Sequence, residues 1–177
     1  VEDLLLGCAY PEGEQGLNLG RIVTYLSGLP VTVPGSTTNR LCGSSMQTIH
    51  TAAGAIMLGA GECFLCGGVE TMSRVQRGGF NRSPHPQMQE EYPEAYIAMG
   101  LTAENLARQH DISRTRQEEF ALASHQKAAA ARDAGRFEEE MVAIGTPEGE
   151  VSADGCIRAD TTLDKMAGLP PAFAEDG

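Results

Sequence analysis

VTVPGSTTNRLCGSSMQTIHTAAGAIMLG, residues Val31–Gly59, joins a strand signal, a turn and a long helix signal around one cysteine. Val31 and Val33 read as the end of a short buried strand that Pro34 and Gly35 break, and Ser36–Asn39 as a polar turn. Beyond Cys42 the apolar residues Met46, Ile49, Ala53, Ile56, Met57 and Ala60 recur at spacings of three and four, the period of a helix, here expected to be largely buried. Cys42 is thereby set at or just before a helix N-terminus. Unpaired N–H groups and the helix dipole favour an anion at such an end, so a thiol there carries more thiolate at neutral pH. Gly43, Ser44 and Ser45 leave room for an acyl group, and the turn amides are placed to receive a developing oxyanion. The competing reading is an inert structural cysteine, since free Cys is among the most buried residue types.

On either side of this stretch the first part of the chain alternates strand and helix. Val1–Ala9, with Leu4, Leu5 and Leu6, reads as a buried strand, and Glu12–Asn18 as a polar turn. Leu19–Ser27 reads as a helix with Leu19, Ile22, Val23 and Leu26 on one face, stopped by Gly28 and Pro30. Cys63–Val69 reads as a further buried strand. Such alternation over residues 1–72 predicts a layered α/β core. From Arg74 to Glu94 the chain turns polar and proline-rich, an extended excursion of the kind that serves function or an interface; His85 lies in it as an exposed loop histidine. Helices are expected at Leu101–Gln109 and, capped by Ser113, at Arg114–Ala134, with Phe120, Leu122 and Ala123 on an apolar line and Gly135 as the stop. His125 on that helix reads as a hydrogen-bonded structural residue. Glu138–Glu140 is a solvated run, Met141–Ile144 a short strand, Pro147–Asp154 a turn-rich loop, and Thr162–Ala167 one or two helical turns.

A chain of 177 residues suits one domain, or one and part of another. It starts at Val1 without a targeting-like segment, which reads as a fragment or processed piece, and no apolar run approaches the roughly 18 residues that span a bilayer. The absence of Trp and the 21 glycines point to close packing through small residues. A net charge of −11 excludes a nucleic-acid or anionic-membrane surface as the main partner, while Arg158 with Lys165 forms a local cationic patch for an anionic ligand. Five cysteines at irregular spacing imply no disulfide framework and a reducing compartment. Cys63 and Cys66 match C-x-x-C, but no second ligand pair completes a zinc site and no helix opens on the motif, so neither metal nor redox chemistry is expected.

Asn39–Gln47 (NRLCGSSMQ) resembles the nucleophile motif of the thiolase family (acyl-CoA acyltransferases), and three later segments agree in order. Cys66–Ser73 (CGGVETMS) resembles that family's glycine-rich strand end, Met99–Asn105 (MGLTAEN) its acyl-CoA-facing loop, and Asp160–Leu163 with Leu169–Phe173 (LPPAF) its coenzyme A segment. The similarity runs over nearly the whole chain. It implies a thiolase-like layered α-β-α N-terminal half, residues 1–72, with a mostly helical loop domain, residues 73–177, that holds an oligomerisation excursion and the CoA segment. The family's C-terminal domain is expected to be missing.

The resemblance implies ping-pong thiolysis of a 3-ketoacyl-CoA through an acyl-enzyme on Cys42. In the family a histidine and a second cysteine from the C-terminal half act as acid and base; His50, His85, His110 and His125 do not match that motif, so the chain is expected to be inactive alone. By the same resemblance Arg158 meets the nucleotide end of CoA, Lys165 stands where many relatives carry serine, Leu169 and Phe173 flank the adenine and pantetheine, and Met99 walls the pantetheine tip. CoA enters as a substrate and no cofactor or metal is implied. A homo-oligomer, dimer or tetramer, is implied, with a role in fatty-acid β-oxidation and a cytoplasmic site, or an organellar matrix in a eukaryote. Ala98, where biosynthetic acetoacetyl-CoA thiolases often carry histidine, favours a degradative enzyme. The alternatives are a biosynthetic thiolase, a related ketoacyl synthase, a cysteine hydrolase, or an idle CoA-binding or oligomerisation fragment.

Overall fold

A computed structural model describes all residues from Val1 to Gly177. The chain divides into two compact units, Val1–His85 and Pro86–Gly177. That division lies beyond the change of composition at Met72, because the segment after Met72 is tied back to the first unit. Arg74 pairs with Glu14, and the Glu12 carboxylate accepts from the amides of Phe80 and Asn81.

In the first unit β1 (Asp3–Gly7) is the central strand of a three-stranded parallel sheet, between β2 (Gly35–Thr38) and β3 (Phe64–Gly68). Leu4, Leu5 and Leu6 are all buried. Successive strand residues face opposite sides, so both faces of β1 are covered, as parallel sheets require. Helix α1 (Leu19–Leu26) packs on β1 and β2, and α2 (Ser44–Met57) on all three strands. The two connections, β1–α1–β2 and β2–α2–β3, are the α/β pattern that the sequence predicts.

The expected strand at Val31–Val33 is displaced. Leu4 pairs with Gly35 and Gly7 with Thr38, so the residues read as a turn form β2. Val31 is 70% exposed, while Val33 is buried ahead of the strand. Polar residues serve as strand here because α1 satisfies them: Thr37 Oγ1 accepts from Gly20 N and donates to Asn18 Oδ1, both at 2.9 Å.

Both helices lie where expected but turn a different face inward. Helix α2 buries Ser44, Thr48 and Ala52, one residue per turn, whereas Met46, Ile49, Ile56 and Met57 are exposed, Met57 to 87%. Helix α1 buries Gly20 and Thr24, with Ile22 and Leu26 outside. The reason is backbone proximity. A Cβ on Gly7 would lie 2.5 Å from Ser45 N, and one on Gly68 would lie 2.0 Å from Ser45 Oγ. Only a stripe of small side chains fits that close. Gly7→Ala is therefore expected to lower unfolding stability by about 1–3 kcal/mol, the usual cost of overpacking, read as a fall in the urea midpoint. An unchanged midpoint would refute the tight seating of α2. Nor is β3 the buried strand expected over Cys63–Val69: it is an edge strand, Cys63 lies outside it, and Cys66 is exposed.

The second unit is mostly helical: α3 (Pro86–Glu91), a 3-10 turn (Pro93–Tyr96), α4 (Met99–Gln109), α5 (Arg114–Asp133) and α6 (Leu163–Ala167). Ser113 caps α5 by accepting from Arg116 N, and Gly135, at φ 69°, follows its end. The buried residues of α5 are Glu118 and Ala129, and Phe120 on the expected apolar line is 79% exposed. The strand expected at Met141–Ile144 and the loop after it are replaced by a hairpin, β4 (Ile144–Thr146) against β5 (Gly149–Val151). Gly149, at φ 128°, makes that tight reversal possible. No helix is long and apolar enough to cross a membrane.

Candidate active site

The three parallel strands end at Gly7, Thr38 and Gly68, and the Asn39–Gly43 loop leaves from that end of the sheet. In open α/β sheets this carboxyl edge is where ligands bind. Asn39 fixes the loop from both sides. Its Nδ2 donates to the Ala9 carbonyl at 3.0 Å, just past β1, and its Oδ1 accepts from Leu41 N at 2.9 Å. Leu41 then takes φ 47°, a left-handed conformation that a non-glycine residue holds only when its surroundings enforce it. The enforcing contacts come from Ser44. Its Oγ donates to the Leu41 carbonyl at 2.5 Å and accepts from Arg40 N at 2.9 Å, while its backbone N–H also reaches the Leu41 carbonyl. Outside the turn, the Arg40 guanidinium donates to Gln47 Oε1.

Cys42 is the residue this turn presents. It is exposed and stands immediately before Gly43, the N-cap of α2, as the spacing predicts. The sulfur is neither sealed in hydrocarbon nor mid-helix. The inert-cysteine description fits Cys8 instead, which is 1% exposed. Burial pushes the Cys8 thiol pKa up, and the charge of Glu70 beside it adds to the rise. Cys63, Cys66 and Cys156 are exposed but none precedes a helix. The structure gathers no three His, Cys, Asp or Glu side chains in an arrangement that holds a metal.

The other five residues singled out from the sequence lie in the second unit. Phe173 lies against the start of α4: a Cβ on Gly100 would be 2.3 Å from its ring, and Met99 is the adjacent residue. Met99, Leu169 and Phe173 are all exposed, which ordinary core side chains are not. Arg158 donates its backbone N–H to His125 Nδ1 at 3.1 Å and its Nη1 to the Gly155 carbonyl at 3.0 Å. His125 is thus the structural residue the sequence predicts. Lys165 Nζ holds both the Asp160 carbonyl, at 2.7 Å, and its Oδ2, at 2.8 Å. The Lys165 hydrogen bond depresses the Asp160 pKa, and Arg158 contributes in the same direction. Lys165 is thus paired with Asp160, while Arg158 is held by Gly155 and His125.

Two residues that matter were not picked out from the sequence. The Glu70 carboxylate accepts from Ala9 N at 2.8 Å, Tyr10 N at 3.2 Å and Gln15 Nε2 at 2.8 Å, and so sets the loop after β1 to which Asn39 is pinned. Its only signal is a lone carboxylate following an apolar strand. Arg114 donates to the Met166 carbonyl at 3.3 Å, the Leu169 carbonyl at 3.0 Å and the Gly177 carbonyl at 3.2 Å, besides pairing with Glu118. Its signal is a cation in the first turn of a helix, where the dipole disfavours it.

Comparison with known proteins agrees with this geometry. The family model described as "Thiolase, N-terminal domain" matches residues 1–177. The 3-ketoacyl-CoA thiolase of Bacillus subtilis (strain 168) is 42% identical over 190 residues, covering 100% of this chain and 49% of the relative. That of Psychrobacter arcticus is 45% identical over 182 residues, covering 98% of this chain and 45% of the relative. Among solved structures, human mitochondrial 3-ketoacyl-CoA thiolase in complex with CoA superposes with a TM-score of 0.84 at 33% identity, over 99% of this chain and 48% of that one. The Bacillus anthracis acetyl-CoA acetyltransferase gives 0.82 at 39% identity, over 100% and 48%. The chain thus spans about half the length of the curated relatives it matches. A parallel sheet with an exposed cysteine at the head of α2, and a family match from end to end, lead to one conclusion: the chain belongs to the thiolase family, in the part formed by its N-terminal domain.

Proposed function

We propose that the protein catalyses thiolytic cleavage of 3-ketoacyl-CoA, with Cys42 as the acyl-carrying nucleophile. The observation that carries this reading is the exposed Cys42 sulfur, one residue before the N-cap of α2, at the carboxyl edge of the sheet. The thiolate attacks the keto carbon of the substrate. The bond between C2 and C3 breaks, its electron pair leaves on acetyl-CoA as an enolate that a proton quenches, and the acyl group stays on Cys42 as a thioester. The thiol of a second CoA loses its proton, attacks that thioester and releases the Cys42 thiolate. Amides of the first turn of α2 lie on the side where the oxyanion develops. Gly43 N and Ser44 N are already engaged by Arg40 and Leu41 carbonyls, which leaves the next two, Ser45 and Met46. No side chain of residues 1–177 is assigned the two proton transfers.

CoA is read as a substrate, with no further cofactor. Arg158 and Lys165 meet its phosphates, as cations suited to them, and Leu169, Phe173 and Met99 supply the apolar side. Two facts support this: the exposure of the three apolar residues, and the CoA in the human structural neighbour. The names of the curated relatives support a 3-ketoacyl-CoA as substrate, and the direction is read as degradation, in β-oxidation. Assembly as a homo-oligomer through the 74–94 excursion, in the cytoplasm or an organellar matrix, completes the reading.

The direct test is acyl trapping. The full-length protein mixed with 3-ketoacyl-CoA in the absence of free CoA, then digested, is expected to carry the acyl mass on the Cys42 peptide alone. Acyl groups on Cys63, Cys66 or Cys156, or on none, would defeat the assignment.

A further inference from the structure

We propose that Arg114 is a positioning residue for CoA: its guanidinium holds the carbonyls that close α6 and so sets Leu169 and Phe173 in the ligand segment. The proposal rests on the assignment of residues 158–173 to CoA. Helix stability does not account for Arg114. It is the first residue of α5, where the dipole disfavours a cation. Its ion pair with Glu118 also runs in the weaker direction for an i,i+4 pair, with the cation on the N-terminal side.

What the side chain does instead is leave its own helix. Nε donates to Glu118 Oε1 at 2.5 Å, and Nη2 donates to the carbonyls of Met166, at 3.3 Å, and Leu169, at 3.0 Å. The Glu118 side chain is only 11% exposed. A carboxylate so buried needs its partner, and by holding Nε it fixes the plane of the fork. Helix α6 has five residues, far too few to stand alone. The Met166 carbonyl near its end accepts from Leu169 N at 2.9 Å, and Arg114 adds a second donor to it. Nη2 alone meets both carbonyls, while Nη1 donates to the Gly177 carbonyl at 3.2 Å and Nε is held by Glu118, so the guanidinium plane fixes the direction of all four bonds, which an ammonium does not.

The consequence falls on one side of the ligand segment. Arg158 and Lys165 have their own anchors in Gly155, His125 and Asp160. Leu169 is anchored through its carbonyl by Arg114, and Phe173, four residues on, rests against Gly100. Loss of the fork therefore frees the apolar side of the segment while leaving its cations in place.

The test compares a 3-ketoacyl-CoA with the matching thioester of pantetheine, which lacks the nucleotide, in the full-length protein. Arg114→Lys and Arg114→Ala are expected to raise KM for the CoA substrate about tenfold, the scale of losing hydrogen bonds to a charged group, with kcat within about twofold. Turnover of the pantetheine thioester is expected to fall too, but by less, since Leu169 and Phe173 flank the pantetheine as well as the adenine. Glu118→Gln, which keeps an acceptor for Nε, is expected to act in the same direction but less. Should Arg114→Ala not fold, Arg114→Lys carries the test. Arg158→Ala tests the site assignment separately, and it too is expected to raise KM for the CoA substrate. If Arg158→Ala does so while the Arg114 variants change nothing, or slow both substrates equally, the positioning role is overturned and the CoA segment stands. If Arg158→Ala and Phe173→Ala both leave KM for the CoA substrate untouched, the site assignment falls and takes the proposal with it.

Discussion

Cys42→Ser in the full-length protein is expected to cut kcat for thiolysis by about a thousandfold or more, the scale of losing a covalent nucleophile. Binding of CoA, followed by calorimetry, is expected to change little. The substitution removes one sulfur from an exposed turn whose geometry rests on Asn39, Leu41 and Ser44. The fold has no reason to respond. The chemistry does, because a serine hydroxyl is far less ionised at neutral pH than a thiol. An oxygen ester is also a poorer acyl donor to the incoming CoA thiol than a thioester. Activity within tenfold of the parent would remove Cys42 from the mechanism, whatever the family likeness.

A polypeptide restricted to residues 1–177 is expected to show no measurable thiolysis, while iodoacetamide still modifies Cys42 ahead of the buried Cys8. The argument is a division of labour. In the proposed reaction the turn before α2 supplies a nucleophile and amides for an oxyanion, yet the departing enolate must be protonated and the second thiol deprotonated. Each positioned proton transfer is worth about 10²–10⁴ in rate. Within the second unit, the histidine facing a named partner, His125, accepts from the Arg158 backbone and has its Nδ1 occupied. Normal turnover by this polypeptide, its folding checked by circular dichroism, would show that acid and base lie within it.

The elements readable from sequence were those whose signal is local. The Leu4–Leu6 run gave β1, the Ser113 cap opened α5, and the glycine and serines after Cys42 marked a helix start. What stayed illegible depends on partners far along the chain. The three- and four-residue spacing of Met46, Ile49 and Ile56 identifies a helix but not its buried side, which is set where Gly7 and Gly68 admit Ser44 and Ser45 at the head of α2. Gly35–Thr38 has no apolar residue to announce a strand; it becomes one because β1 needs a parallel neighbour and Asn18 and Gly20 satisfy Thr37. Among the site residues, Cys42 was visible from its own neighbours, and Met99, Arg158, Lys165, Leu169 and Phe173 only through family resemblance. Arg114 acts through carbonyls more than fifty positions away, where no periodicity reaches.

The carboxylate of Asp160, paired with Lys165, has a kinetic consequence. With Asp164 in the same stretch, it leaves residues 158–173 without net charge, on a chain of net charge −11. An approaching polyphosphate then meets no attractive field beyond the roughly 8–10 Å over which physiological salt screens charge. Diffusional encounter of such an anion with residues 1–177 is expected to be slowed by their net charge, so added salt speeds arrival even as it weakens the final contact.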